Sequence, residues 1–460
     1  MDSDDYPGMP PRSRRARRAA SCQRRTRRRT TSSTRHTTFE ADSSRRATRP
    51  EGTGGPPRSN RPTPLIALAA LSLAAVVAVV GLLAYRAFDE SLAPGKAQAT
   101  RASEAGQDRS LAPVLGALAS DSAVKTPPAQ PLPGNPELSE RLLVCAAGDI
   151  MLDRRVSDLI EAKGGEEPLA AVAHILKRAE VSVANLETPL STRGSPKPGK
   201  DVTFEGNPKG IKGLSASGLD FVSLANNHAL DYGPEALADT IELLDENGIG
   251  HAGAGADAKE AWSPAIKTLP GKRVAFLGFS YIQPSGFLAS ADRPGIAGAR
   301  GVSNEIETAI EAAGRRAEFV IVSFHWGVEY TDYPVDNQKE LGRLAIDAGA
   351  DLVASHHPHV IQGIEVYKGK LIAYSLGDFV FDHFSRKTGE AFILEAAITP
   401  AKTLSAMAIP VYLDHNGKPE VVTGSDADSI LGRLKEISEG FGTKMRIEDD
   451  VATLILPATD

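Results

Sequence analysis

From Arg141 to Asp460 the chain repeats one pattern: a stretch with helical spacing, a short apolar run of strand type, then a polar cluster. The apolar run Leu142–Ala146 leads into Gly148-Asp149. Helical spacing over Leu169–Arg178 precedes the run Val181–Ala184, which ends in Asn185-Leu186-Glu187. Lys209–Ala216 precedes Phe221–Leu224 and the cluster Asn226-Asn227-His228. Glu305–Arg316 precedes Phe319–Ser323 and His325-Trp326-Gly327. Asn337–Ala348 precedes Leu352–Ala354 and His356-His357-Pro358-His359. Helices that alternate with strands demand crossover connections, and hence a largely parallel sheet. The C-terminal ends of such strands share one edge, where ligands bind. The polar clusters are therefore expected to converge there. Beyond Glu365 the pattern changes. Ile364–Tyr367, a Lys-Gly-Lys turn and Leu371–Tyr374 predict a hairpin, with further strands over Phe392–Ile398, Met407–Leu413 and Val451–Leu456 and a helix over Ser429–Gly440. The second half should add a more antiparallel sheet.

Ahead of this body the pattern differs. Leu65–Ala84 reads LIALAALSLAAVVAVVGLLA, without a charge. At about 1.5 Å per residue such a helix spans roughly the 30 Å hydrocarbon core of a bilayer. A signal peptide has a shorter apolar core nearer the N-terminus, so residues 65–85 are read as one retained transmembrane helix. Residues 1–64 lack apolar periodicity and are expected to be disordered. Residues 86–140 are rich in Ala and Pro and are read as a linker. The domain occupies 141–460. Charge sharpens this division: residues 1–62 hold 16 Arg against 6 acids, a net of +10, which leaves −16 for the rest. Arginine on the near side of the apolar stretch places the N-terminus in the cytoplasm and the body outside. An acidic body is a poor partner for nucleic acid. Cys22 and Cys145 fall on opposite sides of the membrane in this topology and cannot pair.

Several residues at the strand ends suit metal chemistry. Pro358 favours an extended His357, so the rings of His357 and His359 should project to one side and reach one ion, with His356 turned away. Against this stands a plain polar loop, which His325 at another strand end makes less attractive. Asp149 is a hard ligand or a helix N-cap. Glu187 has the same two readings, and a carboxylate placed between two ions can bridge them. Asn227 offers a neutral amide oxygen. Its neighbour His228 is suited to protonate a leaving oxygen, with Asp231 orienting the ring; the alternative for this run is a turn. Trp326 is more often packing, and Glu329 is read either as binding a cationic group of a substrate or as a solvated loop acid. His174 and His251 are read as structural. The Gly253-Ala254-Gly255 stretch lacks the Gly-Lys-Ser/Thr ending of a phosphate loop and is read as a turn.

The ordered set GDIML, NLETPL, FEGNP, LANNHALDYG, SFHWGVEY, ADLVASHHPHVIQG and YSLGDFVFD resembles the capsule synthesis CapA family of poly-γ-glutamate synthesis proteins, over roughly residues 142–456. That family is similar in turn to the calcineurin-like metallophosphatases. The resemblance implies an α/β fold of four layers, two packed mixed β-sheets flanked by helices. It implies one or two divalent ions (Mn, Fe, Zn or Mg) held by Asp149, Glu187, Asn227, His325, His357 and His359, with His228 as general acid. Two positions depart from the metallophosphatase pattern: Met151 stands where a ligand histidine is expected, and Ala229 where an acid follows the Asn-His pair. The role implied is in production or export of an anionic polymer, beside other capsule synthesis subunits. Alternatives are a metal-dependent phosphoesterase acting on a small phosphorylated envelope substrate and a non-catalytic subunit that binds polymer or partners. No ATP-binding motif is present that would drive amide ligation.

Overall fold

The computed structural model describes residues 141–457. The tail, the expected membrane span and the linker lie outside these residues, as do the last three. Among the described residues no helix is long and apolar enough to cross a membrane.

The chain enters on β1 (Leu142–Ile150) and passes through α1 (Arg154–Lys163), α2 (Ala173–Leu176), β2 (Val181–Leu186), α3 (Ile211–Ser217), β3 (Phe221–Ser223), α4 (Pro234–Glu246) and β4 (Gly250–Ala252). It continues through β5 (Ala254–Gly255), α5 (Ala258–Ala261), β6 (Ala265–Leu269), β7 (Lys272–Ser280), β8 (Gly295–Ile296), α6 (Ser303–Gly314), β9 (Phe319–His325), α7 (Asp336–Asp347) and β10 (Leu352–His356). The last third holds β11 (Ile364–Tyr367), β12 (Lys370–Ala373), β13 (Asp378–Val380), β14 (Glu390–Ile398), β15 (Thr403–Leu413), β16 (Pro419–Val421), α8 (Ser425–Glu439), β17 (Lys444–Glu448) and β18 (Val451–Ile455).

These strands build two mixed sheets. One has 10 strands in the order β17-β18-β15-β14-β1-β2-β3-β4, with β13 added on β1 and β16 on β15. Its β1–β4 portion is parallel and its β14–β18 portion antiparallel. The other has 6 strands in the order β11-β12-β10-β9-β7-β6, parallel through β7, β9, β10 and β12. Val144, Val183 and Phe221 of the first sheet share one core with Phe276, Ile321 and Ala354 of the second. Val156 of α1, Leu214 of α3 and Leu237 of α4 cover the outer face of the first sheet. Ile306 and Ile310 of α6 and Leu341 and Ile346 of α7 cover the second. Strands buried on both faces read as continuous apolar runs, as Phe319–Val322 does.

Two expectations change. The helix expected over Leu169–Arg178 is a short 3-10 turn, Glu167–Leu169, followed by α2. The periodicity is real, since Leu169, Val172, Ile175 and Leu176 are all buried. The continuity is not: Ser182 Oγ–H donates to the carbonyl of Leu176 at 2.7 Å and helps to turn the chain into β2. β7, which lies between β9 and the edge strand β6 of the second sheet, was absent from the sequence pattern.

One crossing positions the site. β13 lies parallel to β1 with Asp378 opposite Asp149. A Cβ on Gly148 would sit 1.9 Å from the carbonyl oxygen of Gly377, so only glycine admits this approach. Two Gly-Asp pairs thus stand side by side.

Candidate metal centre

The strand ends of both sheets meet at one buried cluster. The first sheet supplies Asp149 from β1, Glu187 after β2, and Asn227 and His228 after β3; the second supplies His325 from β9 and His357 and His359 after β10. The two halves touch directly. His325 Nε2 lies 2.6 Å from Asn227 Oδ1 and 3.4 Å from Glu187 Oε1. The backbone N–H of His357 donates to Asp149 Oδ2 at 3.1 Å. The helix N-cap reading of Asp149 does not hold: Asp149 is wholly buried at the end of β1, and Asp153 caps α1.

The histidine run departs from expectation. His357 has φ 96° and His359 φ 56°, so the chain bends through His-Pro-His instead of extending. The rings still face one region, with centroids 5.9 Å apart. The bend is needed because β10 ends at His356 and the chain turns away under Asp149. His356 is not turned away: its Nδ1 lies 3.0 Å from Asp149 Oδ1.

Around these residues lies a set of buried supports that the sequence reasoning missed. The Asn185 amide reaches Asp149 Oδ1 at 2.8 Å and Glu187 Oε2 at 3.4 Å. The Asn226 amide donates to Asn185 Oδ1 at 3.0 Å, and Asn226 Oδ1 accepts the backbone N–H of His228 at 3.0 Å. Asp378 Oδ1 lies 2.8 Å from His359 Nδ1. Asn185 and Asn226 sat inside motifs already singled out, and Asp378 repeats the Gly-Asp of Gly148-Asp149. That repetition was the available signal.

His228 is held from three sides. Its Nδ1 lies 2.6 Å from Asp231 Oδ2, so Nδ1 carries the proton given to that carboxylate. The ring of Phe204, from the FEGNP motif, stacks on it at 4.1 Å. The Lys200 ammonium donates to the Asn227 carbonyl at 2.7 Å and pairs with Asp231. Burial, and then Lys200, push His228 down to about 4. At neutral pH it is a neutral imidazole with Nε2 as acceptor, 4.0 Å from Glu187 Oε1.

The electrostatics describe a pocket short of positive charge. Burial, and then Asp149, raise the Glu187 carboxyl well above its usual range. Burial raises Asp378 to about 7. Burial would lower His359, but Asp378, Glu187 and Asp149 overcome it and hold the ring protonated well above the usual range. His357, buried and beside His359, falls to about 3. Glu187 Oε1 and His357 Nδ1 are buried without a hydrogen-bond partner, a state that costs about 1–3 kcal/mol each. Three overlapping sets bring ligand atoms within 4.8 Å of one another: Glu187 with His325 and His357, Asp149 with Glu187 and His359, and Glu329 with His357 and His359. Nitrogen and carboxylate donors of this kind suit first-row divalent ions. The residues fit the group.

Other candidates lie apart. Trp326 packs on Phe324 at 4.4 Å and donates Nε1–H to the Tyr374 carbonyl at 2.9 Å. Met151 is buried with Phe204, Phe381 and Leu413, and Ala229 is buried too. His251 Nε2 lies 3.3 Å from Asp245, and His174 is exposed beside an apolar groove. Gly253, at φ 87°, turns the chain between β4 and β5.

A family model described as "Bacterial capsule synthesis protein PGA_cap" matches residues 143–383. The chain is 32% identical over 320 residues to the PGA biosynthesis protein CapA of Bacillus subtilis, covering 68% of this chain and 82% of that protein. It is 30% identical over 308 residues to the capsule biosynthesis protein CapA of Bacillus anthracis, covering 66% and 75% respectively. A probable polyglutamine synthesis accessory protein of Mycobacterium tuberculosis is 29% identical over 350 residues, covering 72% and 92%.

Proposed function

The chain belongs to the bacterial capsule synthesis protein family PGA_cap, and on that premise we propose that it is a metal-binding accessory protein in the production or export of a capsule polymer of the poly-γ-glutamate type. The observation that carries the metal reading is the convergence of buried Asp149, Glu187, His325, His357 and His359 with half-buried Asn227, together with a Glu187 oxygen, Oε1, left without a hydrogen-bond partner. Divalent ions held there would supply positive charge that acidifies water and stabilises negative charge developing at phosphorus. The chain's own residues define the rest. Asp149 is held by Asn185, His356 and the His357 N–H, so its carboxylate is set before any ligand arrives. His228, fixed by Asp231 and Phe204, presents an unprotonated Nε2 toward the pocket and accepts a proton before it can give one. The motif set supports a metallophosphatase-like ancestry for the two packed sheets, and a phosphoester of the envelope is the second substrate class.

The Arg-rich segment before Leu65–Ala84 supports a single-pass anchor with the body outside. A C-terminal reporter active only in the cytoplasm should stay silent on this topology; activity would reject it. The metal reading is tested on the full-length protein, purified without chelator. Wild type should retain a divalent metal, and His357→Ala and Asp149→Ala should lose most of it. Wild type without metal rejects the reading. Metal without turnover of phosphate mono- or diesters would leave the accessory role and remove the phosphoesterase.

A further inference from the structure

The metal reading leaves the HWGVEY loop unused, although it leans over the site. Glu329, on that loop, is half-buried. One of its carboxylate oxygens lies within 4.8 Å of ligand nitrogens on both His357 and His359. We propose that Glu329 is a metal ligand, forming with His357 and His359 an outer subsite for a hard divalent cation. This rests on the metal reading above and names a ligand for that same centre.

Three independent features carry it. The loop is clipped to the histidine bend: the Tyr330 N–H donates to the carbonyl of Pro358, the residue between the two histidines, at 2.8 Å. This fixes the chain one residue from Glu329 against the chain between both nitrogens. Strain gathers at this clip, with φ 62° at Tyr330, 96° at His357 and 56° at His359, none of them glycine. Such conformations persist where surrounding structure or function demands them. Finally, His357 Nδ1 is buried without a hydrogen-bond partner, and half-buried Glu329 brings a carboxylate oxygen within 4.8 Å of a ring nitrogen of His357. A buried imidazole with an unpaired nitrogen and a half-buried carboxylate, held close together, are what a cation would join. Met151, close by in the chain after Asp149, offers no alternative, because its sulfur accepts the Asp153 N–H at 3.1 Å within an apolar cluster. A solvated loop acid would need neither the clip nor the strain.

The test uses full-length protein stripped of metal and titrated with Mn2+, the free ion being read by electron paramagnetic resonance. Glu329→Gln removes the charge; Glu329→Asp keeps it but withdraws the carboxylate by one methylene. If Glu329 is a ligand, both variants weaken the binding of one Mn2+ by at least about tenfold, while their metal-free melting temperatures match wild type. Wild-type affinity in both variants overturns the proposal. So does a loss confined to Glu329→Gln, which marks a charge felt through space. Wild type that binds no Mn2+ overturns the underlying metal reading as well, and so is told apart from a failure of Glu329 alone.

Discussion

Asp378 faces His359 at 2.8 Å, both buried, and this contact decides which nitrogen of the ring is free. With Nδ1 given to the carboxylate, Nε2 is left for the pocket, the arrangement by which carboxylates orient metal-bound histidines. Asp378→Ala should therefore weaken metal binding by about 10–100-fold although Asp378 is outside the ligand set. Asp378→Asn should cost less, because the amide oxygen still accepts the Nδ1–H. Titration with Mn2+ distinguishes them, and equal affinity in all three proteins would contradict the role. The convergence itself was legible: Asp149, Glu187, Asn227, His325, His357 and His359 each follow a strand-like run, and period and chemistry coincide there. Asp378 and His356 were not. Asp378 follows a hairpin rather than a helix–strand unit, so nothing local marked it as a neighbour of β1. His356 was assigned by alternation along an extended chain, and the positive φ of His357 broke that alternation.

At the level of elements, the sequence pattern found those strands whose apolar runs follow a clear helical stretch. β9 and β10 lie at their expected positions, as does the antiparallel hairpin of β11 and β12. β7 was missed for a physical reason: it pairs antiparallel with β6 on one side and parallel with β9 on the other, and no long amphipathic helix immediately precedes it. β13 was missed because three residues are too few for any periodicity, and its pairing depends on two glycines far apart in sequence. α2 shows the opposite error. Its apolar spacing predicts a longer helix, yet a side-chain hydroxyl from β2 takes the Leu176 carbonyl near its end. Elements set by local pattern were readable; those set by a contact between distant segments were not.

At the scale of the whole molecule, two sheets bring three carboxylates, Asp149, Glu187 and Asp378, into one buried space. The metal-free protein meets this by holding protons: Glu187 and His359 are raised well above their usual ranges, and Asp378 is raised to about 7. A group raised in the folded state contributes stability at low pH that is lost as pH rises through its folded value. His228, at about 4, and His357, at about 3, act the other way and cost stability as pH falls below about 6.5. Above about 6.5 those two have no further effect, and only the raised groups remain. The metal-free chain should therefore lose stability as pH rises above about 6.5 and through about 7, where Asp378 gives up its proton, whereas a bound cation takes over the charge the protons supplied. Two outcomes follow from that exchange. Mn2+ binding should release protons, so that the calorimetric heat changes with the ionisation enthalpy of the buffer. The rise in melting temperature on adding Mn2+ should also be larger at about pH 8 than at about pH 6, because fewer protons compete for Glu187, Asp378 and His359. A rise that shrinks with pH would mean that the buried acids are balanced by the protein itself, and the two-sheet pocket would then have no need of a cation.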